Sequence, residues 1–428
     1  MLWNLLKQFR QLEREQWLSR AELSQLQDQR LRGLIRHAYQ QVPYYRRLFD
    51  EHGLHPGDIA TVGDLPRVPL LTKAALQRGG PGDFMACGID RNHCVKRDTS
   101  GTSGRHVILY RTKHEDGYGS LTVFRSLFDN GSRPWERQAY IQGRDPILRG
   151  ETWLDRVRRL RRMHIWTGLD IQDQIRILRP YRPQMIMGFN QSLKLLAHAV
   201  RQSGIRDISP RLVFGCAECL DEPSRALINE VFGVRMCDRY GSAEASCIAW
   251  ECSRHSGYHL NVDTHVVEFI RDGRPAEPGE RGHVVVTPLF LRAMPLIRYD
   301  LEDIGTPADE PCPCGRGLPL MQLIQGRADS FVVLPSGRIV PPAGTFSSII
   351  DKESAVLEFL VVQEDYDLIV VRLVAAERAG PEVAERVQRR IEELVEHEAV
   401  VRVEIVDRID RAPDAKLHRV ISRVPVNF

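Results

Sequence analysis

The sequence predicts an α/β fold: a large N-terminal domain of mixed sheets and packed helices over residues 1–327, and a small α+β C-terminal domain over residues 328–428. Three observations support this organisation. Roughly the first fifty residues have mainly helical periodicity. Short apolar segments then alternate with helical patterns as far as about residue 300, which indicates βα units. After about residue 328, several strand-like segments accompany one helical pattern, as in a small α+β domain.

The N-terminal elements are predicted to be helices. The segment LSQLQDQRLRGLIRHAYQQV carries one apolar stripe along a helix, and Pro43 and Pro56 interrupt the pattern that follows. In LPRVPLLTKAAL, Thr72 is a candidate N-cap for a further helix. The members of the stripe are Leu23, Leu26, Leu31, Leu34 and Ile35.

Two βα units are predicted in the middle of the chain. MIMGF (185–189) is a strand followed by the helix SLKLLAHAVRQSG, and RLVFG (211–215) is a strand followed by DEPSRALINEVFG. GHVVVTPLF and PLIRYD are predicted as further strands.

In the C-terminal part we predict a hairpin, FVVLPSGRIVPP, with its turn at Ser336 and Gly337. It is followed by the strands EFLVVQED and LIVVRLVAA, the helix EVAERVQRRIEELVEH and a last strand, VRVEIVD.

Composition excludes several classes of protein. The 59 basic and 56 acidic residues nearly cancel, so the overall charge does not demand a nucleic acid or an anionic membrane as partner. No apolar run reaches the roughly 18–20 residues of a membrane span. The first segment, MLWNLLKQFRQLEREQW, is amphipathic and charged, unlike a signal peptide. We therefore expect a cytoplasmic protein whose nine cysteines are thiols or metal ligands rather than disulfides.

A Gly/Ser/Thr cluster lies within DTSGTSGRHVILYRT, residues 98–112. Successive backbone N–H groups in such a turn can bind phosphate oxygens, hydroxyl groups add donors, and an arginine adds positive charge. The alternative is an ordinary Ser/Gly turn between two strands. The Walker pattern of phosphate loops is absent. The candidate phosphate-binding residues are Thr99, Ser100, Gly101, Thr102, Ser103, Gly104 and Arg105.

Four later segments carry chemistry-bearing residues, although each also has an ordinary structural explanation. DRYGSAEAS (238–246) offers an aromatic ring, a glycine turn and an acid. LIRYDLEDIG (296–305) offers acids that could bind a ribose or a cation. GRADSF (326–331) lies at the junction of the two predicted domains, and DAKLHRV (414–420) contains a lysine close to the C-terminus.

Taken in order, these motifs resemble the signatures of the adenylate-forming superfamily, which includes acyl-CoA synthetases, luciferases and peptide-synthetase adenylation domains. FGCAECL (214–220) resembles the Gly-x-x-Glu segment of that superfamily. The resemblance is closer to the phenylacetate–CoA ligase branch, through LIRHAYQQVPYYRRLFDEHGL, LPRVPLLTK and CPCGRGLP, and within it to a subgroup encoded with polysaccharide-biosynthesis genes. Two departures concern Arg105, where the family has lysine, and DLED, where the branch has an Arg-Thr-Arg-Asp-like run. The matching residues are Gly215, Glu218, Tyr240, Gly241, Glu244, Asp303, Gly326, Arg327, Asp329 and Lys416.

The resemblance implies an AMP-forming carboxylate–CoA ligase that uses ATP and Mg²⁺. It implies that Glu244 holds Mg²⁺, that Tyr240 stacks on adenine and that Asp303 accepts the ribose hydroxyls. Lys416 would join Glu244 and Arg327 as a catalytic residue, and the small domain would rotate about Asp329. The remaining nucleotide contacts implied are Gly215, Ala217, Glu218, Gly241, Ser242 and Arg327. The implied acid pocket comprises Phe189, Asn190, Cys216, Ala217 and Ser242.

Two other functions remain open from the sequence. One is an adenylating enzyme that passes its acyl group to an amine, a hydroxyl or a carrier protein. The other is a zinc-stabilised binding protein without catalysis, which retention of the motif residues opposes. The expected partner is a small carboxylic acid, with no nucleic acid and no membrane span, and the protein is expected to be a monomer or a homodimer.

The Cys/His pattern predicts a structural zinc site, because three thiolates and one imidazole make a tetrahedral Zn²⁺ site. WECSRHSGYHLN offers both His255 and His259 as the imidazole. The family resemblance favours the second. An alternative site is Cys216-x₂-Cys219, and buried free thiols remain a further alternative. The favoured ligands are Cys252, His259, Cys312 and Cys314.

Overall fold

The protein is described here from a computed structural model that covers residues 2–98, 107–142, 162–217, 219–327, 331–340, 345–350, 352–353, 355–375, 381–409 and 420–424. The α-helices of this part are α1 (Leu2–Glu15), α2 (Arg20–Gln41), α3 (Pro43–Glu51), α4 (Lys73–Phe84), α5 (Lys113–Asp129), α6 (Ile171–Tyr181), α7 (Asn190–Gln202), α8 (Glu222–Phe232), α9 (Thr345–Ile350) and α10 (Glu382–Leu394). Short 3-10 helices span Pro56–Asp58, Val62–Arg67 and Arg91–His93.

The strands form two large sheets, a third sheet near the C-terminus and two hairpins. They are β1 (Val95–Asp98), β2 (Ile108–Arg111), β3 (Gln138–Gln142), β4 (Arg162–Trp166), β5 (Met185–Phe189), β6 (Leu212–Cys216), β7 (Arg239–Ser242), β8 (Ser246–Glu251), β9 (Tyr258–Leu260), β10 (His265–Arg271), β11 (Arg274–Pro275), β12 (Gly282–Pro288), β13 (Tyr299–Ala308), β14 (Leu320–Arg327), β15 (Val332–Val333), β16 (Ile339–Val340), β17 (Val356–Asp365), β18 (Leu368–Ala375), β19 (Val400–Ile405) and β20 (Val420–Ser422).

The N-terminal helices form where the sequence predicts them. Ser19 starts α2 with a capping box, because its side chain accepts from the backbone of Glu22, whose carboxylate accepts from Ser19 in return. The predicted stripe faces the core, and of its five members only Leu26 is half-buried rather than buried. Thr72 caps α4 by accepting from the backbone N–H of Ala75 at 3.2 Å.

The two predicted βα units supply β5 and β6 of a four-stranded parallel sheet, which has the order β4-β3-β5-β6 and also contains β3 and β4, two strands that were not predicted. The helices α6, α7 and α8 pack on it around one apolar core. Because all four strands run in the same direction, their carboxyl ends meet at one edge of the sheet, where ligands bind in open α/β sheets. An isolated parallel bridge between Phe214 and Cys237 brings the start of β7 to that edge.

An eight-stranded antiparallel sheet, ordered β11-β10-β12-β13-β14-β9-β8-β7, packs beside the parallel one. Within it, the strand predicted from PLIRYD begins only at Tyr299, so the first four residues of that prediction are wrong. Arg298 has a positive φ of 53°, so the extended backbone of β13 cannot begin before Tyr299. Its guanidinium binds the Glu268 carboxylate at 2.9 Å and the Val68 carbonyl at 2.7 Å, so the side chain stabilises this turn.

The C-terminal residues form a separate four-stranded sheet in the order β19-β18-β17-β20. The predicted hairpin is present as β15 and β16, with Gly337 at a positive φ of 86° in its turn. VRVEIVD is not the last strand, because β20 follows it and pairs in parallel with β17, with Val361 opposite Val420. A three-residue strand is too short for an alternation pattern to reveal it.

Among the described residues, no helix is both long enough and apolar enough to cross a bilayer. The α/β architecture with mixed sheets, helices on the parallel sheet and a small α+β unit at the C-terminal end agrees with the predicted fold class. The boundary predicted at 327/328 stays a prediction, since residues 328–330 lie outside the described part.

Candidate functional site

Several residues predicted to line an acid pocket lie at the carboxyl edge of the parallel sheet. Phe189 and Cys216 end neighbouring strands and are paired in register. Asn190 begins α7 directly after Phe189 and is buried. The Cys216 thiol donates to the Gly188 carbonyl at 3.4 Å. The strand ends therefore bring together residues that are far apart in the sequence.

Gly215 and Gly241 are both required by close approach of neighbouring atoms. A Cβ at Gly215 would lie 2.0 Å from Oδ1 of Asn190 and 2.9 Å from Oδ1 of Asp238. A Cβ at Gly241 would lie 2.1 Å from the carbonyl oxygen of Ser246. Real Cβ atoms do not tolerate such distances, so any larger residue would displace the Asn190 and Asp238 side chains at Gly215 or the Ser246 backbone at Gly241.

Tyr240 and Asp303 come together although 63 positions separate them. The Tyr240 hydroxyl donates to Oδ2 of Asp303 at 2.7 Å. Tyr240 is buried in β7, and Asp303 lies on β13 directly opposite Arg327 of β14. A phenol ring beside a carboxylate offers a stacking face next to an acceptor for hydroxyl groups.

The turn that carries Glu244 is held by an arginine that sequence reasoning missed. Arg111, the last residue of β2, donates to the carbonyls of Ala243 and Glu244 at 2.7 Å each, and to the Ser246 hydroxyl at 2.8 Å. Burial lowers the pKa of Arg111 to about 10. Within the same turn, the Ser242 hydroxyl accepts a hydrogen bond from the backbone N–H of Ala245 at 3.1 Å. The signal available in the sequence was a basic residue one strand after the Gly/Ser/Thr cluster.

Asp238 is the second residue that sequence reasoning missed. It accepts from the Tyr258 hydroxyl at 2.9 Å and from the Asn190 amide at 3.3 Å. Burial raises the pKa of its carboxyl group, and the Asn190 and Tyr258 bonds oppose that shift. Its backbone N–H donates to Glu251, which Arg225 binds with two bonds of 3.0 Å. Through Asp238, this buried network holds Asn190 in place beside the strand ends.

Several predicted site residues lie outside the described part of the chain, and nothing is concluded about their placement. These are Thr99, Ser100, Gly101, Thr102, Ser103, Gly104, Arg105, Glu218, Asp329 and Lys416, together with the side chain of Arg327. Ala217 is described; it has a positive φ of 73°, which is uncommon for a residue with a Cβ and marks a sharp turn after β6.

The four favoured metal ligands form one cluster. One ligand atom from each of Cys252, His259, Cys312 and Cys314 lies within 4.8 Å of all the others. The Sγ atoms of Cys252 and Cys312 are 3.7 Å apart, and Sγ of Cys314 is 3.4 Å from Nε2 of His259. Tetrahedral zinc with usual bond lengths requires about 3.8 Å between two sulfurs and about 3.6 Å between a sulfur and a nitrogen. The donor set and its spacing therefore fit zinc.

The surroundings of the cluster are compatible with metal binding. Nδ1 of His259 lies 3.4 Å from the Leu318 carbonyl, which leaves Nε2 to face Cys314. Burial lowers the pKa of His259 to about 4, so the imidazole is neutral at physiological pH. The backbone N–H of Arg254 donates to the Cys252 sulfur at 3.4 Å.

Of the two candidate histidines, His259 belongs to the four-residue cluster of the described residues and His255 does not. Nδ1 of His255 instead lies 4.0 Å from a Glu251 carboxylate oxygen, outside the cluster. Cys216 and Cys219 belong to no group of three or more metal-ligating side chains within the described residues.

Comparison with known proteins identifies the class and then the family. No family model matches the chain. The chain is 30% identical over 336 residues to the phenylacetate–coenzyme A ligase of Thermus thermophilus, which covers 76% of this chain and 74% of that relative. A 2-hydroxyisobutyryl-CoA ligase in a postadenylation state, with an acyl-AMP bound, has the same fold (TM-score 0.77, 21% identity, 96% and 91% coverage). The O-succinylbenzoate coenzyme A synthetase of Bacillus subtilis, with ATP and a magnesium ion, is a more distant match (TM-score 0.54, 17% identity, 76% and 68% coverage).

The fold is that of the adenylate-forming enzymes, in agreement with these solved structures. The chain belongs to the phenylacetate–CoA ligase family. The predicted family, fold class and enzyme class, an AMP-forming acid–CoA ligase, are therefore confirmed.

Proposed function

We propose that this protein joins a small carboxylic acid to coenzyme A at the carboxyl edge of its parallel sheet. The hydrogen bond between Tyr240 and Asp303 carries the proposal, because it joins two motifs of the adenylate-forming enzymes beside the strand ends. A carboxylate oxygen attacks the α-phosphorus of ATP, pyrophosphate leaves, and acyl-AMP forms. The sulfur of coenzyme A then attacks the acyl carbon, AMP leaves, and the thiol proton passes to solvent.

We assign a role to each of these residues. Tyr240 stacks on adenine, while Asp303 accepts the ribose hydroxyls beside the phenol group. Glu244 would hold magnesium, which would supply charge neutralisation at the phosphates. Arg111 fixes the turn that presents Glu244. The cluster from Thr99 to Arg105 binds the β- and γ-phosphates. Because the attacking carboxylate is already ionised, positioning and charge neutralisation supply the catalysis without a general base.

The small C-terminal unit is proposed to carry Lys416 and to rotate about Asp329. The described residues of its hydrophobic core all come from Val332 onward. A unit with its own core can move as a body about a short connection. We therefore keep 327/328 as the proposed domain boundary, and we place the protein in the cytoplasm as a monomer or homodimer.

The four-ligand cluster is proposed to hold one structural zinc ion. Four protein ligands fill a tetrahedral site and leave no open position for substrate, which is typical of structural rather than catalytic zinc. Cys252 follows β8 and His259 lies in β9, while Cys312 and Cys314 precede β14. The ion would therefore tie the loop before β14 to the β8–β9 hairpin and stabilise the sheet that carries Tyr240.

The first prediction concerns Tyr240→Phe. This change keeps the ring that stacks on adenine and removes the hydroxyl that donates to Asp303. We expect the KM for ATP to rise about tenfold, equivalent to about 1.4 kcal/mol, because a hydrogen bond to a charged group is lost. Steady-state pyrophosphate exchange measures it. Tyr39→Phe is the matched control, since it removes a hydroxyl–carboxylate bond to Asp50 on the exposed surface. An unchanged KM for ATP in Tyr240→Phe would contradict the assigned nucleotide site.

The second prediction concerns the acceptor. A panel of aryl, aliphatic and amino acids tested by pyrophosphate exchange first finds an acid that is activated. With that acid, coenzyme A should give a thioester together with free AMP. If acyl-AMP accumulates in the presence of coenzyme A and is cleared only by an amine, a hydroxyl compound or a carrier protein, the acceptor assignment is wrong while the adenylation step stands.

A further inference from the structure

Helix α1 has two different faces, and the described residues of the protein cover only one of them. Leu12 is fully buried, Phe9 packs edge-to-face on Phe128 of α5 at 5.5 Å, and Leu5 lies against Gly117. These residues recur at i, i+4 and i+7, as expected for a helix that packs along one stripe. The opposite face is free to meet another surface.

That outward face combines large apolar side chains with basic ones. Trp3 is 78% exposed and Leu6 is 47% exposed. The residues of the helix that point outward are Trp3, Leu6, Lys7, Arg10 and Arg14. At 100° per residue, these five residues occupy an arc of about 100° around the helix axis. Trp17, just beyond the end of the helix, is 52% exposed. We call the arc formed by Trp3, Leu6, Lys7, Arg10 and Arg14 the outer face of α1.

The outer face carries three positive charges and no negative one. Neither Lys7, Arg10 nor Arg14 forms an ion pair with a carboxylate of the described residues. The two acids of α1 face elsewhere. Glu15 is buried and binds Arg30 at 2.6 Å, and partial burial raises the pKa of Glu13 to about 7. The overall charge of +3 conceals this local cluster, because acids elsewhere in the chain balance most of the bases.

We propose that the outer face of α1 binds the surface of an anionic membrane, with the helix lying in the plane of the interface. Trp and Leu side chains enter the boundary between headgroups and acyl chains, while Lys and Arg pair with anionic headgroups. Tryptophan favours this boundary because its ring is apolar and its N–H remains hydrated.

A second copy of the chain fits the same face poorly. A two-fold dimer through α1 would place Lys7, Arg10 and Arg14 opposite the same residues of the other copy, and like charges repel. Two exposed apolar side chains also provide much less contact than the roughly 800 Å² per partner of a stable interface. An anionic lipid surface satisfies both the apolar and the charged groups.

Co-sedimentation with vesicles tests the proposal. The full chain should bind vesicles of phosphatidylcholine mixed with phosphatidylglycerol, and should remain in the supernatant with phosphatidylcholine alone. Added salt should weaken binding, because it screens charges at a surface. Lys7→Glu/Arg10→Glu should lower the partition coefficient at least about 25-fold, since each lost base contributes about fivefold. Trp3→Ala/Leu6→Ala should also lower the partition coefficient, and the size of this decrease should depend less on salt concentration than that of the charge variant.

Arg206→Glu/Arg389→Glu is the matched control, because it makes the same charge change at exposed positions away from α1. It should bind anionic vesicles like the wild type. All variants should keep wild-type pyrophosphate exchange in solution, so loss of vesicle binding is distinguishable from failure of the proposed enzyme function. Wild-type protein that does not co-sediment with anionic vesicles at low salt would overturn the proposal. So would α1 variants that bind like the wild type, or a dimer in sedimentation velocity that these variants dissociate.

Discussion

Lys416→Ala is expected to lower the rate of acyl-AMP formation by on the order of 10²–10³-fold, or roughly 3–4 kcal/mol in transition-state free energy. In the proposed first step, a carboxylate meets the negatively charged α-phosphate. A positioned ammonium group that donates to both relieves their repulsion as the new P–O bond forms. Pyrophosphate exchange with an activated acid measures this half-reaction alone.

The second half-reaction should survive the same change. If the small domain rotates about Asp329 after adenylation, Lys416 withdraws before coenzyme A attacks. Lys416→Ala supplied with synthetic acyl-AMP should therefore form thioester at close to the wild-type rate. Asp329→Pro should show the reverse pattern, retaining adenylation and slowing thioester formation, because proline fixes φ and hinders rotation.

Lys352→Ala is the matched control for Lys416→Ala, since it removes an exposed lysine from the same C-terminal unit. It should leave both half-reactions unchanged. Equal loss of both half-reactions in Lys416→Ala would mean that this lysine supports the structure, or that the domains do not alternate.

The elements predictable from sequence are those with long, regular patterns. The stripe along α2 and the paired strand–helix units β5–α7 and β6–α8 follow from periodicity and turn residues alone. What was missed depends on partners distant in sequence. The strand β20 exists because it pairs with β17. Residues 295–298 leave the strand pattern because Arg298 binds Glu268 and two distant carbonyls.

The residues of the site also divide into those that the sequence predicts and those that depend on partners distant in sequence. Tyr240 and Asp303 could be named from their motifs, yet their direct hydrogen bond depends on β7 and β13 lying in one sheet. Asp238 and Arg111 lie within the segments that carry the motifs, but neither matches a residue of the motifs themselves. Their importance comes from burial and from the groups around them, which no local pattern reveals.

The choice between His255 and His259 also required the fold. His259 is paired with Trp250 of β8 on one side and Leu320 of β14 on the other, so it lies beside both cysteine segments. His255 occupies the turn between β8 and β9 with a positive φ of 52°. The spacing of cysteines and histidines in the sequence fits both residues.

Loss of the zinc site is expected to have the largest effect on stability. Protein purified without added zinc should contain about one zinc ion per chain, as a four-ligand site requires. A ligand present at 1,000 times its dissociation constant stabilises the folded state by about 4 kcal/mol. Cys312→Ser and His259→Gln should therefore each lose the metal and lower Tm by roughly 5 °C, since about 4 kcal/mol is divided by the large unfolding entropy of a long chain. Elemental analysis and thermal unfolding measure the two effects.

Two neighbouring substitutions separate metal loss from simple damage to the core. Cys247→Ser changes a buried thiol that packs in the same apolar cluster as Cys252 and Cys312 but is not one of the four ligands. His255→Gln changes the histidine that faces Glu251. Both variants should retain one zinc ion per chain, whatever their Tm. Wild-type protein that is free of metal and as stable as zinc-loaded protein would show that these thiols are only buried side chains. Equal zinc loss in His255→Gln and His259→Gln would mean that the ligand has been assigned to the wrong histidine.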